Sequence, residues 1–408
     1  MEYKSLAIWS YAHPTEDLQT EYETRLNSPS TIKTGLIVNP ILRGLRQNTS
    51  YELFMVITEQ IFSLCDKITQ NSKVIEKLID QLPGIVYDQA FNDYLTQEIM
   101  NTNEIEGVKT TRKEVNAAIA NRTSNKKVRL QSFARMYWQI KNQTKPQLNN
   151  LQDIRRYYDF LLTGEISQND LPDGQYFRAK PVRIGDDFTT IHQPKGSEID
   201  FINDLNAWLN FINSEKPALI KAFIGHYYFE YIHPFYDGNG RLGRFILCSY
   251  LGYKLDPLTA LVLSKEINNN RKKYYKAFET VELPKNHAEI TFFVTDIMKL
   301  LVKGQKNLLA DLTIKKDVLA YGETQLSELK LEPIETYVLY LHLQAHLFNR
   351  SEPLADNTLY TYRNKFSKRA IRTCIDELTK QGILKLVAKS PRTHILSDDF
   401  IQNKLNIN

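Results

Sequence analysis

Cysteine is scarce in this chain, and its spacing excludes two kinds of scaffold. The 408 residues include three cysteines, Cys65, Cys248 and Cys374, with no C-x-x-C pair among them. An odd number of widely separated cysteines fits neither a disulfide framework nor a structural zinc site. We expect all three to be free thiols that pack like small apolar side chains.

Long apolar runs are also missing. No run approaches the ~18–20 residues that a membrane-spanning helix requires. The N-terminus, MEYKSLAIWSYAHPTEDLQ, lacks the pattern of a secretion signal. The sequence therefore predicts a cytoplasmic protein with no membrane partner. At roughly 150 residues per domain, the chain is long enough for two or three domains, and it has no internal repeat.

The net charge is small, +5 over the whole chain, but it is unevenly distributed. Residues 361–395 contain nine lysines and arginines against two acids, an excess of seven positive charges. The rest of the chain is therefore slightly acidic. A local basic patch, rather than a basic protein, is the feature that calls for a partner.

Apolar residues recur at helical spacing along most of the chain, so we predict a mainly α fold. The predicted helices span residues 51–82, 87–102, 111–121, 130–140, 151–162, 198–214, 218–231, 241–255, 271–281, 291–309, 334–347 and 367–381. The first fifty residues are expected to be irregular or to form short elements, and residues 310–331 to form a polar connector. Two segments rich in β-branched and aromatic residues, 174–194 and 383–396, predict β hairpins.

The C-terminal segment has the element order of a winged helix. Two predicted helices are followed by Gly382, which can end a helix in a left-handed conformation, and then by the second hairpin. The residues that would face DNA are Lys368, Arg369, Arg372, Thr373, Lys389 and Arg392. Contacts from basic side chains to phosphates would make such binding strongly salt-dependent. A protein-docking or dimerising surface with a solvated basic face is the alternative that the sequence leaves open.

The most distinctive segment is residues 233–244, HPFYDGNGRLGR, which lies between two apolar helical runs. Its Asp-Gly pair could form a hairpin turn, but the flanking patterns are helical rather than alternating. A calcium loop is excluded because Arg241 and Cys248 would occupy positions that need oxygen ligands. A glycine-rich turn at the start of a helix instead presents free N–H groups and the positive end of the helix dipole, which suits a phosphate.

The charged residues of this segment fit the same chemistry. Arg241 and Arg244 lie on one helix face, and guanidinium groups suit phosphate oxygens. Asp237 is a single carboxylate, which is sufficient for a magnesium ion that substrate phosphates also hold. His233 can titrate near neutral pH and is the candidate general base. Phe235 is expected to anchor the loop in the core.

At every specified position the segment resembles the signature of the Fic family, H-P-F-x-[DE]-G-N-G-R-x-x-R. Members of this family transfer AMP from ATP to a Ser, Thr or Tyr hydroxyl of a protein. The resemblance implies that His233 deprotonates the hydroxyl, that Asp237 holds Mg²⁺, and that Arg241 and Arg244 engage the β- and γ-phosphates so that pyrophosphate leaves. It also implies that the ATP phosphates lie against Gly238, Asn239, Gly240, Leu242 and Gly243. A related family that phosphorylates its targets has a bulkier Ala-Asn-Lys in place of Gly-Asn-Gly, so this chain is expected to transfer AMP.

Two further segments resemble parts of the family. Residues 174–194 are similar to its flap, a hairpin that pairs with an extended target segment by strand addition. Val182 and Ile184 would lie on the first strand of this flap and Gly185 at its turn. The helix with Tyr274 and Tyr275 resembles the region that packs adenine, although a tyrosine pair on a helix is as often part of a core. Glu282 stands where relatives often have Asn, so the choice among ATP, GTP and UTP stays open.

Residues 102–107, TNEIEG, match the inhibitory motif of the family, [ST]-x-x-x-E-[GN]. The resemblance implies that Glu106 pairs with Arg244, and an arginine held by a carboxylate cannot also bind the γ-phosphate. The alternative is an ordinary helix end, with Gly107 at the C′ position and Glu106 in solvent.

These features predict three parts of the chain and one function. The parts are an N-terminal helical segment over 1–85, a Fic-type domain over 86–310 with the inhibitory helix at about 87–107, and a winged-helix-like domain over 330–400. The predicted function is that of a self-inhibited protein adenylyltransferase that uses ATP and Mg²⁺ on a target-protein hydroxyl. The alternatives are a nucleotide-sensing DNA-binding regulator and removal of AMP from targets by the same site.

Overall fold

A computed structural model of the chain describes residues 3–185, 190–348, 353–360 and 366–407, and it is mainly helical, as the sequence predicts. The chain forms two compact units, Met1–Val74 with Leu95–Lys306 and Ile75–Tyr94 with Asn307–Asn408. All three cysteines are free thiols, as expected. Within the described ranges, no helix is both long and apolar enough to cross a membrane.

The N-terminal segment combines two short helices with a small sheet. Its elements are α1 (Leu6–Ala12), α2 (Leu18–Leu26), β1 (Thr31–Val38), β2 (Ile41–Leu42), β3 (Leu45–Arg46) and β4 (Tyr51–Val56). β1 pairs with β4 in antiparallel register, from Thr31 opposite Val56 to Val38 opposite Tyr51. β2 pairs with β3 in a second small hairpin.

The prediction of a helix from residue 51 was wrong at its start, and the segment over 1–85 is not wholly helical. Phe54 exchanges backbone hydrogen bonds with the chain at Ala288 (3.3 Å) and Ile290 (2.9 Å), beside its pairing with β1. An apolar run buried on both faces fits a strand as well as a helix. The long-range pairing with β1 decides for the strand. The helix begins only at Glu59, after Thr58 caps the N–H of Ile61.

A run of helices follows and contains the segment of interest. These helices are α3 (Glu59–Asp80), α4 (Gly84–Ile105), α5 (Arg112–Ala120), α6 (Gln131–Trp138), α7 (Leu151–Leu161), α8 (Glu198–Ile212), α9 (Ala218–Ile232), α10 (Asn239–Lys254), α11 (Pro257–Ala260), α12 (Leu263–Asn269), α13 (Arg271–Glu282) and α14 (Thr291–Glu328). Between α7 and α8 lie the short strands β5 (Ile184–Gly185) and β6 (Thr190–His192). α9 packs against α8 and α10 and is buried on nearly all sides, so the loop between α9 and α10 starts from a rigid core helix.

The polar connector predicted for residues 310–331 was wrong, because α14 continues to Glu328. Leu308, Leu312, Leu319 and Leu326 are buried and recur every four or seven residues, which is one helix face. Lys315 also pairs with Asp311 at 2.9 Å, four residues apart on the same helix. The many charged residues concealed this regular apolar stripe.

The C-terminal elements are α15 (Pro333–Phe348), α16 (Asp356–Leu359), α17 (Lys368–Lys380), β7 (Leu384–Lys389), β8 (Arg392–Leu396) and α18 (Asp398–Asn403). The predicted helices at 334–347 and 367–381 and the predicted hairpin are confirmed, with β7 and β8 in antiparallel register. Gly382 has a φ of 75°, as expected for the residue that ends α17. An isolated bridge joins Ala355 to Thr393, so the hairpin also contacts the segment before α16.

Candidate active site

The loop from α9 to α10 is held in shape by its own side chains. Phe235 is buried, as predicted, and its ring stacks on Tyr158 at a centroid distance of 3.7 Å. The side-chain amide of Asn239 accepts a hydrogen bond from the N–H of Phe235 and donates one to its carbonyl, both at 2.9 Å. The side chain of Asn239 therefore fixes the loop, and only its backbone is available to a ligand.

The N-terminal end of α10 lies beside this loop. The helix begins at Asn239, two residues earlier than predicted, and its first hydrogen bond runs from Leu242 N–H to Gly238 O at 3.0 Å. The N–H groups of residues 239–241 precede that bond, so they form the anion-attracting end of the helix. Leu242 is fully buried, and its side chain points into the core rather than toward a ligand.

Arg241 is a buried cation whose donors are only partly used. Its Nη2 donates to Asp237 Oδ2 at 2.8 Å, and its side chain is fully buried. Its Nε and Nη1 have no hydrogen-bond partner in the described part of the chain. Buried donors without acceptors cost free energy, so this arginine is arranged to receive further oxygen ligands.

Arg244 is, in contrast, held by the end of α4 through two of its three nitrogens. Its Nε donates to Thr102 Oγ1 at 2.8 Å, and its Nη2 donates to Thr102 O at 3.0 Å and to Glu106 Oε1 at 2.6 Å. Burial opposes the charge of Arg244, but the carboxylate of Glu106 more than offsets this and raises the guanidinium pKa above its ordinary value. The structure thus contains the Glu106–Arg244 ion pair that the sequence predicts.

The position of Glu106 depends on how α4 ends. Gly107 has a φ of 73°, and the N–H groups of Gly107 and Val108 donate to Glu104 O (3.1 Å) and Asn103 O (3.0 Å). These two bonds are the Schellman pattern with glycine at C′, so the ordinary helix cap is present. Glu106 is nevertheless not simply solvated, because the cap turns its carboxylate toward Arg244.

Gly240 allows this carboxylate to approach the end of α10. A Cβ at this position would lie 2.2 Å from Glu106 Oε1 and 3.0 Å from Arg244 Nη1, so any larger residue would displace the pair. Glu106 therefore occupies the N-terminal end of the helix, where a phosphate oxygen would be favoured.

His233 ends α9 in a left-handed conformation with a φ of 53°. Its N–H donates to Phe229 O at 3.1 Å, and its Nδ1 has no partner among the described residues. Burial, assisted by the nearby His192 and Arg178, lowers the pKa of His233 to about 3, so the imidazole is neutral at pH 7. A neutral ring with a free nitrogen can accept a proton, which a general base must do.

Arg178 is a functional candidate that the sequence analysis missed. It is fully buried, and among the described residues its side chain donates to carbonyl oxygens: Nε to His233 O (2.8 Å), Nη1 to Lys180 O (2.8 Å) and Gly196 O, and Nη2 to Lys195 O (2.7 Å). Its guanidinium also lies over the Phe201 ring, 4.7 Å from the centroid. Burial lowers the pKa of Arg178 to about 10, which still leaves it charged at neutral pH. It therefore ties both ends of the predicted flap segment to the backbone of His233.

The predicted flap is shorter than expected. Ile184 pairs with His192 and Gly185 with Thr190, whereas Val182 precedes the strand, so its assignment to the strand was wrong. Gly185 belongs to β5 rather than to the turn, and residues 186–189, where the turn would lie, are outside the described residues. Among the residues that the structure describes, the pairing with β6 covers Ile184 and Gly185 of the first strand.

A cavity of about 390 Å³ contains the candidate residues. Its lining includes His233, Arg244, Glu106, Ile184, Gly185, Gly240, Tyr274 and Tyr275. Tyr274 is buried and shares a hydrogen bond of 2.8 Å with His226 Nε2, whereas the ring of Tyr275 is 44% exposed. Of the two tyrosines, Tyr274 is therefore mainly a core residue and Tyr275 is the one free to stack on a base.

Two further acids, Glu282 and Glu230, belong to the lining of this cavity. Glu282 lies 3.0 Å from His192 Nδ1, while His192 Nε2 lies 2.9 Å from Tyr231 O, so the second flap strand is joined to α13 and α9. Glu230 has a buried Oε1 with no partner in the described ranges, and burial raises its pKa to about 8. Sequence reasoning missed Glu230, because nothing marks one acid within an apolar helix as part of a site.

The donor set for a metal ion is small. Among the described residues, no group of three or more His, Cys, Asp or Glu side chains is arranged to hold a metal ion. Asp237 is the one acid of the loop 233–244, its side chain is 44% exposed, and it already accepts from Gly238 N–H at 2.5 Å. This arrangement fits an ion held jointly with phosphate oxygens, as for Mg²⁺, and it does not fit a resident metal site.

Residues 148–251 match the Fic/DOC family, and this range contains the whole loop 233–244. The protein adenylyltransferase Fic of Nematostella vectensis is 28% identical over 131 residues, which are 31% of this chain and 28% of that protein. The matched part of the chain thus spans less than a third of that relative's length.

The chain was also compared with solved structures. A Fic family protein from Desulfovibrio desulfuricans has 17% identity and a TM-score of 0.50, covering 84% of this chain and 97% of that chain. A Fic domain containing signaling protein from Bacteroides thetaiotaomicron has 14% identity and a TM-score of 0.39, covering 61% and 95%. The first of these shares the fold of this chain.

Proposed function

Because residues 148–251 form a Fic/DOC-family domain, we propose that this chain is a self-inhibited protein adenylyltransferase. It would transfer AMP from ATP to a Ser, Thr or Tyr hydroxyl of a target protein and release pyrophosphate. The observation that carries this proposal is the pair of loop arginines, one with unpaired buried donors and one held by Glu106. The matched adenylyltransferase from Nematostella vectensis supports the choice of AMP.

In the proposed reaction, His233 takes the proton of the target hydroxyl while the hydroxyl oxygen attacks the α-phosphorus of ATP. The new P–O bond forms as the bond from the α-phosphorus to the bridging oxygen breaks, and pyrophosphate leaves with that oxygen. A pKa of about 3 makes His233 a weak base when the cavity is empty. The negative phosphates of bound ATP would raise this pKa toward neutrality and make the proton transfer easier.

The phosphates would be held by the start of α10 and by Arg241. Its unpaired Nε and Nη1, together with the N–H groups of residues 239–241, supply donors for oxygens of a transferring phosphoryl group. Asp237 would hold Mg²⁺ jointly with the phosphates, and the ion would neutralise part of their charge. An extended target segment would add to the flap strand β5 at Ile184 and Gly185.

Self-inhibition would follow from the position of Glu106. Its carboxylate holds Arg244 at 2.6 Å and occupies the space beside Gly240 that a γ-phosphate would need. ATP would then bind without its γ-phosphate in place, so its α-phosphorus would not be aligned with the target hydroxyl. Removing the carboxylate would free both the guanidinium and the helix end.

The test compares wild-type protein with Glu106→Gly, each incubated with Mg²⁺ and ATP labelled on the α-phosphate. We expect self-labelling of Glu106→Gly to be on the order of 10²-fold faster, which corresponds to a charge-assisted bond of about 3 kcal/mol. Adding His233→Ala should abolish it. Equal labelling of wild type and Glu106→Gly would contradict the inhibition, and labelling without His233 would contradict its role as base.

Glu104→Gly is the matched control. Glu104 lies on the same last turn of α4 but is 65% exposed and pairs with Arg271 rather than Arg244. Glu104→Gly weakens this last turn by a loss of helix propensity of about 1 kcal/mol, so its labelling should rise only a few-fold. Parallel reactions with labelled GTP and UTP identify the base. Labelling by neither these nor ATP would contradict nucleotidyl transfer itself.

A further inference from the structure

The C-terminal hairpin and α17 form one packed layer. Asp376 of α17 accepts a hydrogen bond from Arg392 of β8, and Arg392 is the register partner of Lys389 on β7. The end of the hairpin that carries Lys389 therefore lies against α17. The buried side of α17 is formed by Ile371, Cys374, Ile375 and Leu378, which leaves the opposite side of the helix in solvent.

Two acids of this region, Asp356 and Asp376, pair with basic side chains of the same domain. Asp376 and Asp356 both contact the guanidinium of Arg392, the latter at 3.5 Å. Asp356 also contacts His394 Nδ1 at 2.8 Å, and both of these side chains are buried. Arg392, which the sequence analysis placed among DNA-facing residues, is therefore engaged inside the domain.

Lysines and arginines besides Arg392 are exposed on α17 and the hairpin, and we call four of them the basic face: Lys368, Arg369 and Arg372 of α17, and Lys389 of the hairpin. Within the described ranges, none of the four has an ion pair with a carboxylate. Lys368 only lies over the ring of Tyr360, at 5.1 Å from its centroid. Exposed cations that the fold leaves outside ion pairs attract a polyanion.

We propose that the basic face binds duplex DNA, with α17 in the major groove and the hairpin against the neighbouring backbone. The major groove is about 12 Å wide and admits one α-helix. Arg369, Arg372 and Thr373 lie on the solvent side of α17 and are of types that contact bases or phosphates. Lys389 stands at the exposed end of the hairpin beside α17, where its ammonium group can contact a phosphate of the DNA backbone. This inference does not depend on the transferase activity.

The experiment uses the full chain and a fluorescent 30-base-pair duplex of random sequence, with anisotropy recorded at several salt concentrations. We expect binding at 50 mM KCl that weakens on the order of 10²-fold by 200 mM, as for roughly four phosphate contacts. Arg369→Glu with Arg372→Glu should weaken binding at least tenfold. Lys67→Glu, on the exposed side of α3, is the control. Because it reverses one charge and the double variant reverses two, the loss of binding free energy is compared per charge reversed.

Each other outcome would overturn the inference. Absence of binding at 50 mM KCl, or equal binding by the Arg369→Glu, Arg372→Glu protein, would exclude the basic face as a DNA site. Tighter binding to a single strand or to duplex RNA of the same length would exclude duplex DNA as its partner. The remaining alternative is that the basic face binds a second copy of this chain. Sedimentation of the same proteins without DNA tests it, and a change of oligomeric state on charge reversal would assign the face to that second copy.

Discussion

Two regions of this molecule use arginine in opposite ways. In the loop 233–244, Arg241 and Arg244 are at most 2% exposed, and each has a carboxylate as a partner. On the basic face, Arg369 and Arg372 are exposed and have no carboxylate partner within the described residues. Burial fixes the direction of each donor in the loop, whereas solvent leaves the face with charge but little directional constraint.

The difference predicts what each region can recognise. A buried guanidinium in a low-dielectric site acts through the geometry of its hydrogen bonds and is little screened by salt. An exposed one acts through charge, and its contribution falls as salt is added. The loop 233–244 is therefore suited to one arrangement of phosphate groups. The basic face is suited to a nucleic-acid backbone whatever its base sequence.

The largest effect is expected from changing Arg244 to lysine, which keeps the charge and removes the fork of donors. In the Glu106→Gly background, Arg244→Lys should lower the labelling rate about 10²-fold or more, as for loss of a transition-state donor. The matched change on the basic face, Arg372→Lys, should alter DNA affinity less than threefold. Full activity of Arg244→Lys in labelling assays would remove the distinction between the two regions.

A smaller effect is expected at Arg178. Its Nε donates to the backbone carbonyl of His233, and its positive charge helps to lower the pKa of the His233 ring. Removing this cation by Arg178→Met should raise the pKa of His233, so the ring is protonated at higher pH. In the Glu106→Gly background, loss of the bond to His233 O should misplace the imidazole, so kcat/KM should fall about 10-fold or more even though the ring becomes a stronger base. The acid limb of kcat/KM should move upward in pH. A fall in rate with an unmoved pH profile would show that Arg178 only supports the fold. Arg178→Lys should restore the profile in part.

The smallest effect concerns the stability cost of burying acids near these arginines. The folded protein keeps the proton of Glu230 up to about pH 8, whereas the unfolded chain releases it near the ordinary value of 4.5. As pH rises between these values, wild type should lose stability relative to Glu230→Gln, and the difference should stay constant above pH 8. At pH 9 we expect the variant to melt a few degrees higher, for about 1–2 kcal/mol. Equal melting curves at pH 5 and pH 9 would contradict this.

Much of the site could be predicted because it is local in sequence. The loop 233–244 contains its glycine turn, the Asn239 side chain that bonds to the backbone of Phe235, and both arginines. The short sequence pattern therefore determines the loop geometry. The Glu106–Arg244 pair spans 138 residues but was predictable from the resemblance of a second short motif. Its helix cap at Gly107 is likewise local.

The rest depended on partners that a sequence pattern does not encode. Among the described residues, the side chain of Arg178 donates to carbonyl oxygens, which every residue has, so nothing in the sequence identifies its role. Residues 51–56 are apolar enough for a helix or a strand, and the pairing with β1 decided between them. In α14 the charged residues concealed a leucine stripe that burial revealed.

Under the proposed self-inhibition, the cap of α4 predicts a measurable basal activity. Glu106 is the last residue before Gly107, so opening a single helical turn withdraws the carboxylate without disturbing α10. Helix ends open locally at a cost well below that of global unfolding. If that opening costs about 3 kcal/mol, Glu106 is separated from Arg244 in roughly one molecule in a hundred at any moment. The basal labelling rate would then report how often this helix end opens. A ligand that binds this turn in its closed or its open state would lower or raise that rate.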